Sequence, residues 1–173
     1  MIHAIPTDTC YWLASHVYDE AWYNDIFKLK WRSQDKPLSI AVEDFDALQD
    51  IAMLTRKQIQ FLMDYPHPFT VVTNVNRRFV RPYFLNYRFM EYGIRVWETF
   101  LNDEVKSRLR FPIFLTSANN SWEPEIYDSE ALVRVFGSDV LDIIEWKIEP
   151  KQPSNVFRFV RDSLELDFLR KNY

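Results

Sequence analysis

A layered α/β domain built on a mixed sheet is the fold this sequence predicts, and three observations predict it. Short apolar and β-branched runs alternate with stretches that carry apolar residues at helical spacing, the pattern of strands interleaved with helices. The last two strand-like runs, Asn155 to Val160 and Leu164 to Leu169, are joined too tightly for a parallel crossover, so part of the sheet is antiparallel. A chain of 173 residues, 47% hydrophobic and 27% charged, can bury a proper core and is not disordered. No repeat, linker or low-complexity segment divides residues 1–173, so a single domain is expected.

The elements follow in order. His3 to Ile5 is a short apolar lead ending at Pro6, and Tyr11 to Ser15 continues extended after a Thr-Asp-Thr turn. Asp19 can cap a helix running to about Lys30, with Trp22, Ile26 and Leu29 on one stripe and Lys28 and Lys30 in its last turn. Pro37 keeps the chain extended into a strand at Leu38 to Val42. Helices are predicted over about Asp44 to Met53 and from a Thr55 cap to just before Pro66. Phe69 to Val75 and Tyr92 to Trp97 read as strands, and Arg77 to Arg88 as an aromatic, basic loop. A helix over Thr99 to Leu109 and a strand at Pro112 to Thr116 come next. Ser129 to Phe136 then forms a helix stopped by Gly137, with a strand at Val140 to Trp146.

Composition bounds the function. A formal charge of −4 argues against a surface that coats nucleic acid, while leaving room for a local basic cleft. The lone Cys10 excludes an internal disulfide and suits a reducing cytosol; beside no catalytic partner, it reads as a small buried apolar residue. There is no apolar run of 18 residues, and the N-terminal segment turns polar by Pro6 instead of forming a signal peptide, so a cytoplasmic location away from membranes is expected. His3, His16 and His67 are too scattered for a metal site, and none of the common metal or nucleotide-loop motifs occurs. Only two glycines, Gly93 and Gly137, is few for an enzyme whose loops must approach phosphates.

The chemistry concentrates in two stretches. In Lys28 to Ser39, Lys30 and Arg32 stand two residues apart just past a helix. If the chain is extended there they share a face, whereas on a helix they would diverge by about 200°. Lys36 belongs to the same basic loop. In Thr116 to Ser121, the apolar run Ile113 to Leu115 delivers Thr116, Ser117 and Asn119 at a strand's carboxyl end, where open α/β sheets bind ligands. Two cations facing hydroxyls and an amide make an anion site, read here as one for nucleotide phosphate and carboxylate. Arg77, Arg78, Phe79, Arg81, Tyr83, Tyr87 and Arg88 interleave charge with rings, which suits either single-stranded RNA or a solvated loop.

The segments PTDTCYWLAS (Pro6 to Ser15), K-x-R then DKPLS (Lys30 to Ser39), PHPFT (Pro66 to Thr70), YGIRV (Tyr92 to Val96), TSANNSWEP (Thr116 to Pro124) and PSNV (Pro153 to Val156) stand in that order. Together they resemble the YrdC/Sua5 family, the threonylcarbamoyl-AMP synthases, over nearly the whole chain. The resemblance implies a YrdC-like twisted mixed sheet flanked by helices. It implies a nucleotidyltransferase that condenses L-threonine, bicarbonate and ATP, as substrate with Mg2+, into threonylcarbamoyl-AMP and pyrophosphate for the t6A37 modification of tRNA. It carries over Lys30, Arg32, Ser117 and Asn119 as the catalytic tetrad. Thr7 and Thr9 join Lys30 and Arg32 around threonine, with Asp8 at the family's glutamate. Lys36, Arg95, Thr116, Ser154 and Arg170 join the tetrad around the nucleotide. Double-stranded RNA binding, tRNA and the t6A transferase machinery are implied partners.

The sequence departs from that family at its glycines. Trp12 and Ala14 stand where P-T-E-T-x-Y-G-L-G has them, Trp31 where K-G-R-P does, His67 where P-G-P-x-T does, and Trp122 where T-S-A-N-x-S-G-E-P does. Such replacements demand a changed backbone or about 1 kcal/mol of strain each, and Trp12 and Trp122 are placed to narrow a nucleotide cleft. An alternative reading therefore stands beside the enzyme: a paralogue that binds nucleotide or RNA without turnover.

Overall fold

Nine strands hydrogen-bond into one sheet in the computed structural model, which describes residues 1–76, 78–79, 89–101, 103–120, 123–137, 141–149 and 151–173. The chain enters as a hairpin, β1 (Ile2–Pro6) and β2 (Tyr11–His16), followed by α1 (Glu20–Leu29) and β3 (Ser39–Val42). Helices α2 (Phe45–Ile51) and α3 (Arg56–Met63) lead to β4 (Phe69–Asn74) and β5 (Glu91–Val96). A 3-10 turn at Trp97–Thr99 and α4 (Asp103–Ser107) precede β6 (Ile113–Ser117). Then come α5 (Ser129–Phe136), β7 (Leu141–Ile143), β8 (Asn155–Phe159) and β9 (Leu166–Arg170).

The strand order is β7-β1-β2-β6-β3-β5-β4-β8-β9. Three parallel pairs (β1 with β7, β3 with β5, β4 with β8) are set among antiparallel ones, and β8 and β9 are antiparallel as their short connection requires. The helices start where polar caps stand. Asp19, Asp44 and Asp128 accept the backbone N–H of Trp22, Ala47 and Ala131, and Thr55 with Gln58 forms a reciprocal capping box. Each cap is worth about 1 kcal/mol.

Side chains alternate across the sheet, and the two faces are covered differently. On one face Leu13, Ile40, Val42, Ile94 and Phe114 pack against Tyr23, Ile26 and Phe27 of α1, Leu48 of α2, Ile59 and Leu62 of α3, and Leu132 and Phe136 of α5. On the other, Ile5, Ala14, Ala41, Ile113 and Leu115 meet Trp97, Phe100, Leu101 and Val105, a much thinner layer. That second face carries the site.

Two element predictions need correction, and a third falls largely outside the described residues. The helix expected over 99–109 is a 3-10 turn and the five-residue α4, because Phe100 (φ −156°) breaks the helical path and turns into the core of the thin face. The strand expected over 140–146 pairs with β1 only at Leu141–Ile143; beyond it, Trp146 N–H bonds to the Tyr11 hydroxyl instead of a ladder. The loop expected over 77–88 lies outside the described residues except for exposed Arg78 and for Phe79, which packs on the core. Among the described residues no helix is long and apolar enough to cross a membrane.

Candidate functional site

Everything at the site starts from how α1 ends. Lys30 is its C-cap, Trp31 adopts a left-handed conformation (φ 51°), and the N–H groups of Trp31 and Arg32 return to the carbonyls of Lys28 and Phe27. This is a Schellman closure, which ordinarily places glycine at the left-handed position. The extended Lys30-Trp31-Arg32 segment expected from spacing is therefore absent. A turn performs the convergence instead, sending Lys30 inward and Arg32 to the cleft, while the Trp31 indole is 86% exposed.

Lys30 is only 2% exposed. Its Nζ donates to the Ser117 carbonyl and, at 3.4 Å, to Asn119 Oδ1, which also accepts the Ser117 hydroxyl at 2.6 Å. The Asn119 amide donates to the Glu123 carbonyl at 2.7 Å, closing the turn after β6. Lys30, Ser117 and Asn119 are thus one hydrogen-bonded corner joining α1 to β6. Burial, and then the Arg32 charge, push the Lys30 ammonium down to about 8.

A cleft of about 180 Å3 opens beside this corner, lined among others by Thr9, Trp12, Arg32, Ser39, Arg95 and Arg170. Its floor is the thin face of the sheet. Trp12 of β2, Leu115 and Ser117 of β6, Ser39 of β3 and Arg95 of β5 come from four neighbouring strands and project the same way. The sequence placed the ligand at a strand's carboxyl edge. In a mixed sheet the carboxyl end of β6 abuts the amino ends of β2 and β3, so the polar groups collect over a face instead. Gly93 keeps that floor open: a Cβ there would meet Thr70 Cγ2 at 2.9 Å and Ser39 Oγ at 3.3 Å.

Each remaining candidate has a definite place. Arg32 lines the cleft while Nε and Nη2 donate to the carbonyls of Lys36 and Pro37, and burial lowers its pKa. The Lys36 side chain is exposed and does not line the cleft. Thr116 and Ser154 line it, both buried, with the Ser154 hydroxyl 3.1 Å from that of Thr70. Arg170 donates from Nε and Nη2 to the Ser154 carbonyl at 3.1 and 2.9 Å. Thr7 and Thr9 fold into a tight turn, Thr7 Oγ1 donating to the Cys10 carbonyl at 2.8 Å and lying 3.2 Å from Thr9 Oγ1. Thr9 faces the cleft, whereas Thr7 and Asp8 face a separate cavity of about 590 Å3 that also includes Phe100, Trp146 and Lys151. Burial raises the Asp8 carboxyl, against the opposing pull of Arg95 and Lys151. Cys10 is fully buried, its thiol pushed up to about 11 by burial.

Sequence reasoning missed Ser39 and Glu125, both lining the cleft. Ser39 was hidden as the last residue of a basic loop motif and becomes visible only through the pairing of β3 with β6. Among the described residues Glu125 is the one carboxylate in that lining. Among the described residues no group of three or more His, Cys, Asp or Glu could hold a metal ion. The residues present do not fit a protein-held Mg2+.

Comparison with known proteins gives the family and the fold. Residues 1–171 match the profile of the Sua5/YciO/YrdC family, described as "Telomere recombination". The threonylcarbamoyl-AMP synthase of Buchnera aphidicola subsp. Acyrthosiphon pisum (strain APS) is 24% identical over 166 residues, 93% of each chain. Among solved structures, P. abyssi Sua5 complexed with L-threonine superposes with a TM-score of 0.77 at 23% identity, covering 98% of this chain and 49% of that one. E. coli YciO gives 0.78 at 18% identity, covering 98% and 82%. This chain spans about half the length of the P. abyssi protein.

Proposed function

The chain belongs to the Sua5/YciO/YrdC family, and from that premise we propose that it is an L-threonylcarbamoyladenylate synthase, acting as one domain over residues 1–173. One observation carries the reading: Arg32, Arg95 and Arg170 converge with the hydroxyl-bearing Thr9, Thr116, Ser117 and Ser154 on a single cleft. Three guanidinium groups with one carboxylate suit a polyanion far better than a neutral ligand.

The chemistry requires no protein nucleophile. The threonine amine captures CO2 derived from bicarbonate as a carbamate, a carbamate oxygen attacks the α-phosphorus of ATP, and the bond to the leaving pyrophosphate breaks. Attacker and target are both anionic, so the site's task is to hold them together against repulsion. In this reading Arg32, Arg95 and Arg170 neutralise phosphate charge, while Thr116, Ser117 and Ser154 offer hydroxyl donors. Thr9 shapes the threonine end, held by the turn that Thr7 closes with the Cys10 carbonyl. Lys30 adds positive charge from below and, through Asn119 and the Ser117 carbonyl, positions the β6 corner. ATP is a substrate, and Mg2+ would arrive on its phosphates. The product is handed to the t6A transferase machinery for tRNA, in the cytoplasm.

Incubation with L-threonine, bicarbonate and labelled ATP tests this. Pyrophosphate release that needs all three, and that falls at least a hundredfold in Arg32→Ala and Lys30→Ala, is the expected result. Release independent of threonine, or none at all, overturns it. A second reading, binding without turnover, is favoured by one observation: about 180 Å3 is small beside the roughly 300–1,000 Å3 of common ligand pockets. Under that reading ATP or pyrophosphate binds and no adenylate forms.

A further inference from the structure

Arg95 is the largest fully buried side chain among the described residues, 1% exposed, and it projects from near the carboxyl end of β5 into the cleft. Its Nε and Nη2 have no hydrogen-bond partner, an unusual state for a buried guanidinium. The nearby charges that act on it are the Asp8 carboxylate, which favours its charged form, and Arg170, which opposes it. No carboxylate fork fixes its plane. Two rings do: its Cζ lies 4.0 Å from the Phe100 centroid and 5.3 Å from that of Trp12. Those rings are themselves neighbours, 6.5 Å apart. Ring faces attract a guanidinium through its charge but accept none of its N–H bonds in the plane, so the donors remain available to a ligand.

We propose that Trp12 is a positioning and size-setting residue, which with Phe100 cages Arg95 so that the cleft receives a compact phosphate-class anion such as pyrophosphate. Three features agree on that ligand. The caged donors need at least two acceptor oxygens, Arg32 and Arg170 supply further charge, and the volume of about 180 Å3 matches a compact anion, with the nucleoside of an ATP substrate lying beyond it. Trp12 occupies β2 at a strand position where neither of its neighbours changes the backbone path, so its bulk acts on the cleft and not on the fold. The inference deepens the proposed function at the same site and rests on it for the origin of the anion.

Titration calorimetry with inorganic pyrophosphate and, separately, with ATP tests it on the full chain. The parental protein is expected to bind pyrophosphate, and Trp12→Phe, which retains a ring, to bind within threefold of it. Trp12→Leu, closer in bulk to phenylalanine than to tryptophan but without a ring face, is expected to weaken pyrophosphate at least tenfold. Trp12→Gly is expected to do the same while ATP affinity holds or improves, moving the preference between the two ligands at least tenfold. Circular dichroism melts identify a variant that fails to fold, and the Leu and Phe pair then decides alone. Equal pyrophosphate affinity in Trp12→Leu and Trp12→Phe overturns the proposal, as does a parental protein that binds ATP but not pyrophosphate. Turnover assays keep the two ideas apart. Ring-dependent pyrophosphate binding without adenylate formation sinks the synthase reading alone, and adenylate formation with ring-independent binding sinks this inference alone.

Discussion

On one face of the sheet, four helices press Tyr23, Ile26, Leu48, Ile59, Leu62, Leu132 and Phe136 onto the strands. On the other, a 3-10 turn and the five-residue α4 cover only part of the surface, and Ser39, Arg95 and Ser117 face a cleft. The same strands build both, because successive residues point to opposite sides. Phe114 and its neighbours Leu115 and Ile113 show the division within three positions. The thick face stores stability; the thin one accepts buried charge, which a well-packed core would not tolerate. The candidate cleft lies where packing is least complete.

The largest test of that contrast lies on the helix-covered side. Phe114, fully buried and 4.6 Å from the Tyr23 ring centroid, should lose about 3–5 kcal/mol of stability in Phe114→Ala. Urea unfolding measures it, and a loss under 1 kcal/mol would erase the distinction. Arg32→Ala on the thin side should do the reverse. Its melting midpoint should stay near the parental one while pyrophosphate affinity falls about 10- to 100-fold, the worth of a charge-assisted hydrogen bond. Gly93→Ala should affect both properties. Its new methyl group would press on Thr70 and Ser39, costing about 1–3 kcal/mol and reducing ligand affinity.

A pH titration sharpens the comparison further. The Lys30 ammonium is held at about 8, below its ordinary 10.5. Between those values the unfolded chain binds more protons than the folded one, so unfolding free energy rises as pH climbs, by up to about 1.4 kcal/mol per unit. Urea melts from pH 7 to 9 should show that rise in the parental protein and lose it in Lys30→Met. Above pH 9 the Cys10 thiol, pushed up to about 11, pulls stability the other way. The smallest effect is a gain. Trp31→Gly relieves a left-handed tryptophan and should stabilise by about 0.5–1 kcal/mol. Trp12→Gly, also at a family glycine position, should not, since β2 is regular there.

Much of this was readable beforehand. The caps Asp19 and Thr55 and the apolar stripes behind them set the helices, because those signals are local. The residues of the corner and cleft stood in ordered segments resembling one family, and the match over residues 1–171 upholds that resemblance. What stayed hidden was convergence. Lys30 and Arg32 do lie near one place, but through a left-handed turn at Trp31 and not through an extended segment. Thr7 and Thr9, neighbours in one motif, face different cavities. The helix expected after Thr99 gave way because Phe100 is needed against Arg95, a partner that local propensity does not see.

The chain's order of apolar, capping and polar residues by itself determined which segments are strands and helices and which family they serve. Only the tertiary structure decided that Lys30 turns inward to the Ser117 corner, that Ser39 and Glu125 join the cleft, and that two rings hold an otherwise unpaired guanidinium. The reason is physical. Periodicity and capping are set within a few residues, whereas strand register and the burial of a charge depend on groups far apart in sequence, brought together by the sheet.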